Sequence, residues 1–473
     1  MYAKVFFPYI CTPYADILSF ILYLSRLFLP SGKMISALSD FLWGWPLILL
    51  LMGTHVWLTV RLRFPQRHIF RAIRLSVTPD RDAHGDVSQF GALATALAAT
   101  IGTGNIVGVA TAVALGGPGA VLWCWLTGVF GISTKYAESL LAVHYRVKRR
   151  DGHMIGGPMY TLHRGLGMKW LAVFFAVFGM IASFGIGNMV QCNAITFLCR
   201  ESYGVPLEYM SLAVAFFVAL VVLFGVKGIA RVCTAFVPMM ALLYVVGCLY
   251  ILCVNGHFVW DALCLIVRSA FTPHAAGGGF AGVTVMLSMR YGVARGLFSN
   301  ESGMGSAPIV AAAAQTKTPV RQALVSSTGT FWDTVVVCLL TGLVIVSSVL
   351  AHDGISFSDG ATLTKMAFAT IPYVGTPLLT FGIITFAFST ILGWCYYGEK
   401  CVQYLGAHTN PLRWSWIYRV VFIVFVYVGG TQRLDLVWSF SDLANGLMAI
   451  PNLISLLLLT GVIVSESRRG GVL

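Results

Sequence analysis

Charged residues are scarce in this chain. Lysine, arginine, aspartate and glutamate make up 10% of its 473 residues, whereas 58% of the residues are hydrophobic. Soluble domains carry about 25% charged residues, because their surfaces must be solvated. A chain this poor in charge is neither a soluble globular enzyme nor a disordered protein. We therefore expect a polytopic membrane protein, in agreement with a mean hydropathy of +0.81.

Paired cysteine and histidine motifs are also missing. The 11 cysteines are scattered without a CxxC pair, and the 10 histidines form no HExxH motif. Such spacings are expected of metal sites and of redox or metalloenzyme centres. We predict no disulfide, no metal site built from these residues and no organic cofactor. We also predict that the protein is not an enzyme, since no span pairs histidine convincingly with serine, cysteine or an acid, as a catalytic constellation at one depth of the bilayer would require.

Long apolar runs, by contrast, are abundant. A helix crosses the hydrocarbon core of a bilayer with about 20 apolar residues. We predict an all-α fold with 11 transmembrane helices, at 38–59, 91–115, 119–143, 171–198, 207–226, 232–254, 281–312, 324–350, 374–405, 414–431 and 435–463.

The surplus of positive charge, +13, is concentrated in particular loops. The loops 60–90 and 144–170 each carry six lysine or arginine residues. Loops rich in these residues remain in the cytoplasm. The pattern predicts a multi-pass protein of the cell membrane with its N-terminus outside and its C-terminus in the cytoplasm. The charge is accounted for by topology, so we expect no nucleic-acid partner.

Residues 1–33 form an N-terminal extension with three possible interpretations. The stretch 14–29 is apolar but short for a span. One interpretation is a cleavable signal peptide, although the stretch lacks a small-residue cleavage site. The others are an interfacial helix, or sequence that precedes a true translation start at Met34. We favour the interfacial helix.

The second span is interrupted by glycine and polar residues at 99–108, with the sequence ATIGTGNIVG. A dinucleotide-binding loop would need an acid about 20 residues further on, but 106–134 contain none. A small-residue packing face explains the glycines and leaves Asn105 unexplained. We favour an unwound helix that exposes backbone groups to a ligand.

The seventh span contains a second interruption at 296–308, with the sequence GLFSNESGMGSAP. A carboxylate at this depth is costly unless it is paired or functional. Glu301 is therefore either a structural acid bonded to local amides or to a threonine, or a coupling group that binds an ion or switches its protonation.

The two interruptions occupy matching positions in two groups of five spans. Five is an odd number, so the groups insert with opposite orientation, as in the inverted repeats of secondary transporters. The predicted organisation is an extension (1–33), an extra span with a basic cytoplasmic loop (34–90), a first repeat (91–254), an external connection (255–280), a second repeat (281–463) and a cytoplasmic tail (464–473).

The ninth span adds two adjacent hydroxyl groups, those of Ser389 and Thr390. Trp394 lies one helical turn beyond Thr390, so both side chains can face the same point. The alternative is that the hydroxyls bond to their own helix and that the tryptophan only packs.

These motifs resemble the alanine/glycine:cation symporter family, also called the sodium:alanine symporter family. The resemblance extends from about residue 38 to residue 459. The matching segments are Gly91–Gly108, Gly116–Gly131, Gly156–Tyr160, Gly187–Gln191, Gly296–Ile309, Pro319–Gln322, Ser389–Glu399 and Gly446–Asn452. The chain departs from the usual family residue at Thr161, Ser302, Ser389 and Cys395.

The resemblance implies the inverted five-plus-five fold of the neurotransmitter:sodium symporter type, with one extra N-terminal span. It also implies sodium-driven uptake of alanine or glycine. The partners are then a small amino acid, Na+ as coupling ion and the lipid bilayer. A proton-coupled permease of the same fold is the closest alternative, because Glu301 is available for protonation. An ion channel is disfavoured, since no segment resembles a filter loop.

Broken helices offer free amides to a carboxylate and free carbonyls to a cation. We expect the amides of Thr103, Gly104 and Asn105 to bind the substrate carboxylate. The ammonium group would meet Gln191 and the carbonyls of Phe298, Ser299 and Asn300. The remaining substrate contacts are expected from Thr390 and from three capping residues, Phe298, Met304 and Trp394. The expected Na+ ligands are Asn105, Ala99, Ser389 and Thr390.

Overall fold

We analysed a computed structural model of the chain, which describes residues 32–80, 83–149, 152–272, 285–407, 410–432 and 434–473. Apart from residues 32 and 33, the extension 1–33 lies outside the described residues, and so does the junction 273–284 before the seventh span. The helices are α1 Gly32–Leu42, α2 Trp45–Arg61, α3 Ile69–Ser76, α4 Gln89–Thr100, α5 Gly104–Gly116, α6 Ala120–His144, α7 Lys169–Tyr203, α8 Leu207–Val222, α9 Gly225–Val254, α10 Gly256–Phe271, α11 Val285–Asn300, α12 Pro319–Ala351, α13 Leu363–Ala369, α14 Gly375–Leu405, α15 Pro411–Thr431, α16 Leu434–Leu458 and α17 Thr460–Arg469. Five short helical turns complete the described helical segments: Pro65–His68, Pro158–Tyr160, Thr161–Gly165, Pro308–Ala311 and Phe357–Thr362.

The predicted all-α class is confirmed for the described residues. Their β-structure is limited to a hairpin of two residues per strand, β1 Val147–Lys148 and β2 Met154–Ile155, and one isolated bridge. A helix coincides with each of the 11 predicted spans. By length and composition, six described helices are long and apolar enough to cross a membrane, or eight if each of two bent pairs counts as one span.

Large apolar side chains cover the outside of the helix bundle. Phe216 on α8, Leu242 on α9 and Trp416 on α15 are each more than half exposed. Such a surface would be a liability in water, whereas lipid tails solvate it at no cost. The described fold is that of a multi-pass membrane protein.

Two segments predicted as connections contain helices. The external connection 255–280 begins with α10, and the basic loop 60–90 contains α3. The apolar run of α10 is interrupted by Asp261 and Arg268, and its 16 residues are shorter than a bilayer span. A search for long apolar runs therefore passes over both helices.

The second and seventh spans are broken, as their sequences predict. Helices α4 and α5 meet at an angle of 50° across residues 101–103. Helix α11 ends at Asn300, and helical structure resumes only at Pro308. Helix α5 packs along α11, and α4 packs against α9 and α14. The two breaks thereby lie together in the interior of the bundle.

Candidate functional site

The first break exposes backbone between α4 and α5 in a buried setting. Ile101 has φ −75° and ψ 96°, which is extended rather than helical backbone. The side-chain oxygen of Asn105, Oδ1, accepts a hydrogen bond from the backbone amide of Gly102 at 2.9 Å. A side chain thus replaces a helical hydrogen bond, as the absence of water in the bilayer core requires. Helix α5 then begins with a π-helical turn, Gly104–Gly108, a feature that recurs at functional sites.

The second break uses left-handed backbone at three positions. Glu301, Gly303 and Gly305 have φ values of 52°, 89° and 85°. Glycine adopts this region freely, whereas for a glutamate it costs of order 1–3 kcal/mol. The surrounding side chains hold the loop in place, since Asn452 donates to the Gly303 carbonyl at 2.9 Å and the Gly305 amide donates to Glu138 at 3.0 Å.

Glu301 is buried, and its carboxylate accepts hydrogen bonds from two side chains. The indole N–H of Trp394 donates to Oε1 at 3.0 Å, and the Ser306 hydroxyl donates to Oε2. The sequence suggested backbone amides or a threonine as structural partners. In the described structure the partners are instead a tryptophan and a serine, and the tryptophan is one of the expected capping residues.

A small cavity of about 10 Å³, room for about one water molecule, lies between the two breaks. Seven of the expected site residues line it: Ala99, Gly104, Gln191, Phe298, Glu301, Thr390 and Trp394. Thr100, Gly102 and Ile186 complete its lining. A β-carbon at Gly104 would lie 3.3 Å from the Phe298 ring, so the glycine lets α5 and α11 approach each other here.

The other expected site residues lie elsewhere. The expected residues that are buried but do not line this cavity are Thr103, Asn105, Ser299, Asn300, Met304 and Ser389. The Asn300 side chain donates to Thr127 at 3.2 Å and accepts from the Ser302 amide at 2.9 Å. Met304 lies in the loop, where its amide donates to the Glu301 carbonyl at 3.2 Å. Residue spacing alone could not predict the direction in which this loop turns.

One cluster of oxygen atoms joins α14 to the end of α4. The Thr390 hydroxyl lies 3.0 Å from the Ala98 carbonyl and 3.5 Å from the Ile101 carbonyl. The Ser389 hydroxyl lies 3.4 Å from the same Ala98 carbonyl. Both hydroxyls also contact the Phe386 carbonyl of their own helix, at 2.9 and 3.0 Å. The cluster contains five oxygen atoms, two from hydroxyls and three from carbonyls, of the kind that hard cations prefer.

A second polar cluster surrounds Asn105. The Asn105 amide group donates to the Asp333 carboxylate at 2.8 Å. The same carboxylate accepts from Ser299 at 3.0 Å and from Thr334 at 2.6 Å. All four side chains are buried. Gly102 connects the two clusters, because its amide bonds to Asn105 and a β-carbon on it would lie 2.7 Å from the Thr390 hydroxyl.

Asp333 is a residue that the sequence reasoning missed. It lies within the apolar segment 331–338 of α12, so the rule that drew attention to Glu301 applies equally to it. Lys135 and Glu138 on α6 are likewise ionisable residues within a predicted apolar span. Both are buried close to the second break.

The Thr103 hydroxyl reaches the Gln191 side chain at 3.3 Å. Gln191 in turn donates to the Ile186 carbonyl at 3.0 Å, across the π-helical turn Gly185–Met189 of α7. A β-carbon at Gly187 in this turn would overlap Trp394. The turn thus fixes both Gln191 and Trp394 at the cavity wall.

Broken helices around a small buried cavity define a membrane transporter, and the fold agrees with solved structures of that class. The chain is similar to MhsT in complex with L-phenylalanine, with TM-score 0.56, 16% identity and coverage of 81% of this chain and 93% of that one. It is also similar to a manganese transporter of Eremococcus coleocola, with TM-score 0.54, 12% identity and coverage of 81% and 83%. At these identities the likeness concerns the fold.

The chain belongs to the sodium:alanine symporter family, whose sequence profile matches residues 30–469. It is 51% identical to an uncharacterized transporter of Haemophilus influenzae, covering 92% of this chain and 95% of the relative. It is 47% identical to the sodium/alanine symporter AgcS of Methanococcus maripaludis, covering 92% and 96%. The resemblance seen in the sequence is thereby confirmed, and the protein is a sodium-coupled amino-acid transporter.

Proposed function

We propose that the protein takes up small neutral amino acids, alanine and glycine, by symport with Na+ and alternating access. The observation that carries the proposal is the small cavity, of about 10 Å³, that lies between the two helix breaks. Its walls include Phe298, Ile186 and Trp394. Such a cavity favours small side chains, because a single methylene in a fitted apolar pocket changes binding by about 1–3 kcal/mol.

In this proposal the two charged ends of the substrate meet opposite parts of the site. The carboxylate binds at the start of α5, near Thr103 and Gly104, where the helix dipole favours negative charge. The ammonium group binds toward the end of α11 and the Gln191 side chain, where carbonyl groups favour positive charge. The positions of Gly104, Gln191 and Phe298 in the cavity wall support this orientation.

The proposed Na+ ligands divide between the two polar clusters. The Ser389 and Thr390 hydroxyls, with carbonyls at the end of α4 next to Ala99, form one candidate position. Asn105 belongs to the other, where the Asp333 carboxylate adds a negative charge. Gly102 contacts both clusters, so a cation at either one would stabilise the unwound backbone to which the substrate binds.

Alternating access is supported by a difference between the two ends of the cavity. On the side assigned to the cytoplasm by its basic loops, the segment before α4 bonds directly to the segment after the second break. The Asp86 amide donates to the Ala313 carbonyl, and the Gln315 amide donates to the Val87 carbonyl, both at 2.8 Å. Arg146 donates to the Ala314 carbonyl at 2.8 Å and to the Thr316 carbonyl at 3.1 Å.

Burial lowers the pKa of the Arg146 guanidinium, and the Asp86 carboxyl opposes that shift. On the opposite side, a larger cavity of about 200 Å³ extends to Thr103. These features are those of a state closed to the cytoplasm. The proposal also includes 11 spans in the inverted five-plus-five arrangement, with the N-terminus outside and the C-terminus in the cytoplasm, as the sequence predicts.

Uptake of labelled alanine by the purified protein in proteoliposomes tests the proposal. We expect accumulation when an inward Na+ gradient is imposed, and loss of accumulation when Na+ is replaced by choline at fixed pH. Uptake that persists in choline and follows a pH gradient would instead identify a proton-coupled permease. Glu301 and Asp333, buried acids at or beside the cavity, are the observation that favours this second candidate.

A further inference from the structure

The larger cavity is a distinct chamber on the side opposite the cytoplasmic contacts. One wall is the face of α7 that presents Ala194, Phe197, Leu198 and Glu201, which are spaced as neighbours on one side of a helix. A second wall is formed by α14, and a third by α5. The chamber is continuous with Thr103, whose hydroxyl contacts Gln191 of the inner cavity.

A pair of opposite charges lies in the wall of this chamber. Lys365 on α13 and Glu201 at the end of α7 form an ion pair at 3.0 Å. Their side chains are 27% and 59% exposed. An ion pair this open to solvent contributes about 0–1 kcal/mol, so an incoming molecule that carries both charges can displace it at little cost.

Asn193 supplies a further polar group deeper in the same wall. It is fully buried and donates to the Gly429 and Gln432 carbonyls, both at 2.9 Å. Its carbonyl oxygen accepts no hydrogen bond from the described residues. A buried acceptor without a donor is costly, and an ammonium group would satisfy it. Asn193 lies eight residues, or about 12 Å along the helix, inward from Glu201.

The segment that carries Lys365 is attached to the broken helix. The Thr364 hydroxyl donates to the Ile106 carbonyl at 3.1 Å, within the π-helical turn of α5. Lys365 therefore has a defined position relative to Thr103 at the inner end of the chamber. The polar groups form a series that begins at the Glu201–Lys365 pair, continues at Asn193 and ends at Thr103.

We propose that this chamber is a second, outer binding site for amino-acid zwitterions. Lys365 binds the carboxylate and Glu201 binds the ammonium group, so one exposed ion pair is exchanged for two. The side chain lies against Phe197, Leu379 and Ile383, and Asn193 is the next acceptor on the way inward. The proposal rests on the proposed function for the identity of the substrate and for the outward orientation of the chamber.

The difference in size between the two cavities gives this site a distinctive property. The outer chamber accommodates leucine, whereas the inner cavity is closed by Trp394 and Phe298. Leucine should therefore occupy the outer site without being transported, and should obstruct the entry of alanine. Inhibition without transport that depends on Lys365 and Glu201 is the behaviour that separates an outer site from a single central one.

The first experiment measures labelled alanine uptake in proteoliposomes at increasing leucine concentration, with labelled leucine uptake in parallel. We expect leucine to inhibit the wild type without accumulating. Lys365→Gln and Glu201→Gln should each raise the half-inhibitory leucine concentration about tenfold or more, because each removes a charge-assisted hydrogen bond. Glu208→Gln and Arg200→Gln are the controls, since both side chains are exposed and neither lines the chamber.

The second experiment separates the two sites by calorimetric titration of leucine into purified protein in Na+ buffer. Gly104→Leu should fill the inner cavity, abolish alanine uptake and leave leucine binding intact. Adding Lys365→Gln to that variant should weaken leucine binding about tenfold or more. The inhibition assay needs no Gly104 variant, so it remains decisive if Gly104→Leu fails to fold.

Leucine accumulation by the wild type, unchanged inhibition in both charge variants, or loss of leucine binding in folded Gly104→Leu would each overturn the outer site. Absence of alanine uptake by the wild type would instead count against the proposed function. Leucine binding is measured without transport, so the two failures are distinguishable.

Discussion

At the scale of single residues, buried side chains decide which oxygen atoms remain available to a ligand. The Asn105 side chain makes two contacts at once, accepting from the Gly102 amide and donating to Asp333. It therefore couples the unwound backbone to the buried carboxylate of α12. Its role as a Na+ ligand remains a prediction, and the contacts explain why a change here should alter sodium dependence.

Asn105→Ala should raise the Na+ concentration required for half-maximal alanine uptake by about tenfold or more. The substitution removes a candidate ligand and the Asn105 donor to Oδ1 of the Asp333 carboxylate, and a hydrogen bond to a charged group contributes about 1.5–3 kcal/mol. Uptake measured against Na+ concentration in proteoliposomes checks this. Asn255→Ala is a matched control, because Asn255 is buried and bonds Ser348 away from both clusters. Unchanged sodium dependence would refute the assignment of Asn105.

Trp394→Ala should allow labelled leucine to accumulate, whereas the wild type excludes it. The indole is buried, lines the inner cavity and is held by Glu301, so its removal opens space where a longer side chain can lie. Uptake of labelled leucine and alanine by the same vesicles checks this. Trp416→Ala is the control, because Trp416 is mostly exposed on α15. If the Trp394 variant accumulates alanine but no leucine, Trp394 does not cap the site.

At the scale of the element, the breaks depend on backbone conformations that the glycines permit. The sequence predicted both breaks, because glycine and polar residues interrupt otherwise apolar spans. It did not predict which residues would point into the cavity. Asn300 was expected to offer its carbonyl and Met304 to cap the site; neither residue lines the cavity, and the Asn300 side chain donates to Thr127.

Gly305→Ala should lower the stability of the folded protein by about 1–3 kcal/mol, the cost of an unfavourable backbone region. Its φ is 85°, and a β-carbon would lie 2.7 Å from Pro158 and 2.8 Å from Phe175. The midpoint of thermal denaturation in detergent measures the effect. Gly461→Ala is the control, because that glycine lies in α17 with no atom within 4 Å of the added carbon. Equal midpoints for the two variants would contradict this account of the second break.

At the scale of the whole molecule, contacts between the two halves of the chain close one end of the transport path. The Val87–Ala314 bridge joins the segment before α4 to the segment after the second break. Arg146 holds the same region through the Ala314 and Thr316 carbonyls. If transport alternates between two sides, these contacts must break in each cycle.

A disulfide between Val87→Cys and Ala314→Cys should stop alanine uptake, and a reductant should restore it. The bridge brings the two backbones side by side, and the covalent link would prevent the cytoplasmic side from opening. Uptake before and after oxidation checks this, with each single-cysteine variant as the control. Full uptake by the oxidised double variant would show that this contact need not open.

The sequence alone determined that the protein is an all-helical membrane protein, where two of its spans break and to which family it belongs. The first two conclusions follow from local composition, because a bilayer requires long apolar runs and penalises every interruption. The family follows from the resemblance of the sequence motifs to those of known members. Only the tertiary structure decided that Asp333 lies beside Asn105, that Glu301 holds Trp394 and that a charged pair lines an outer chamber. These facts depend on contacts between distant helices, and no local pattern encodes the direction of a side chain across such a contact.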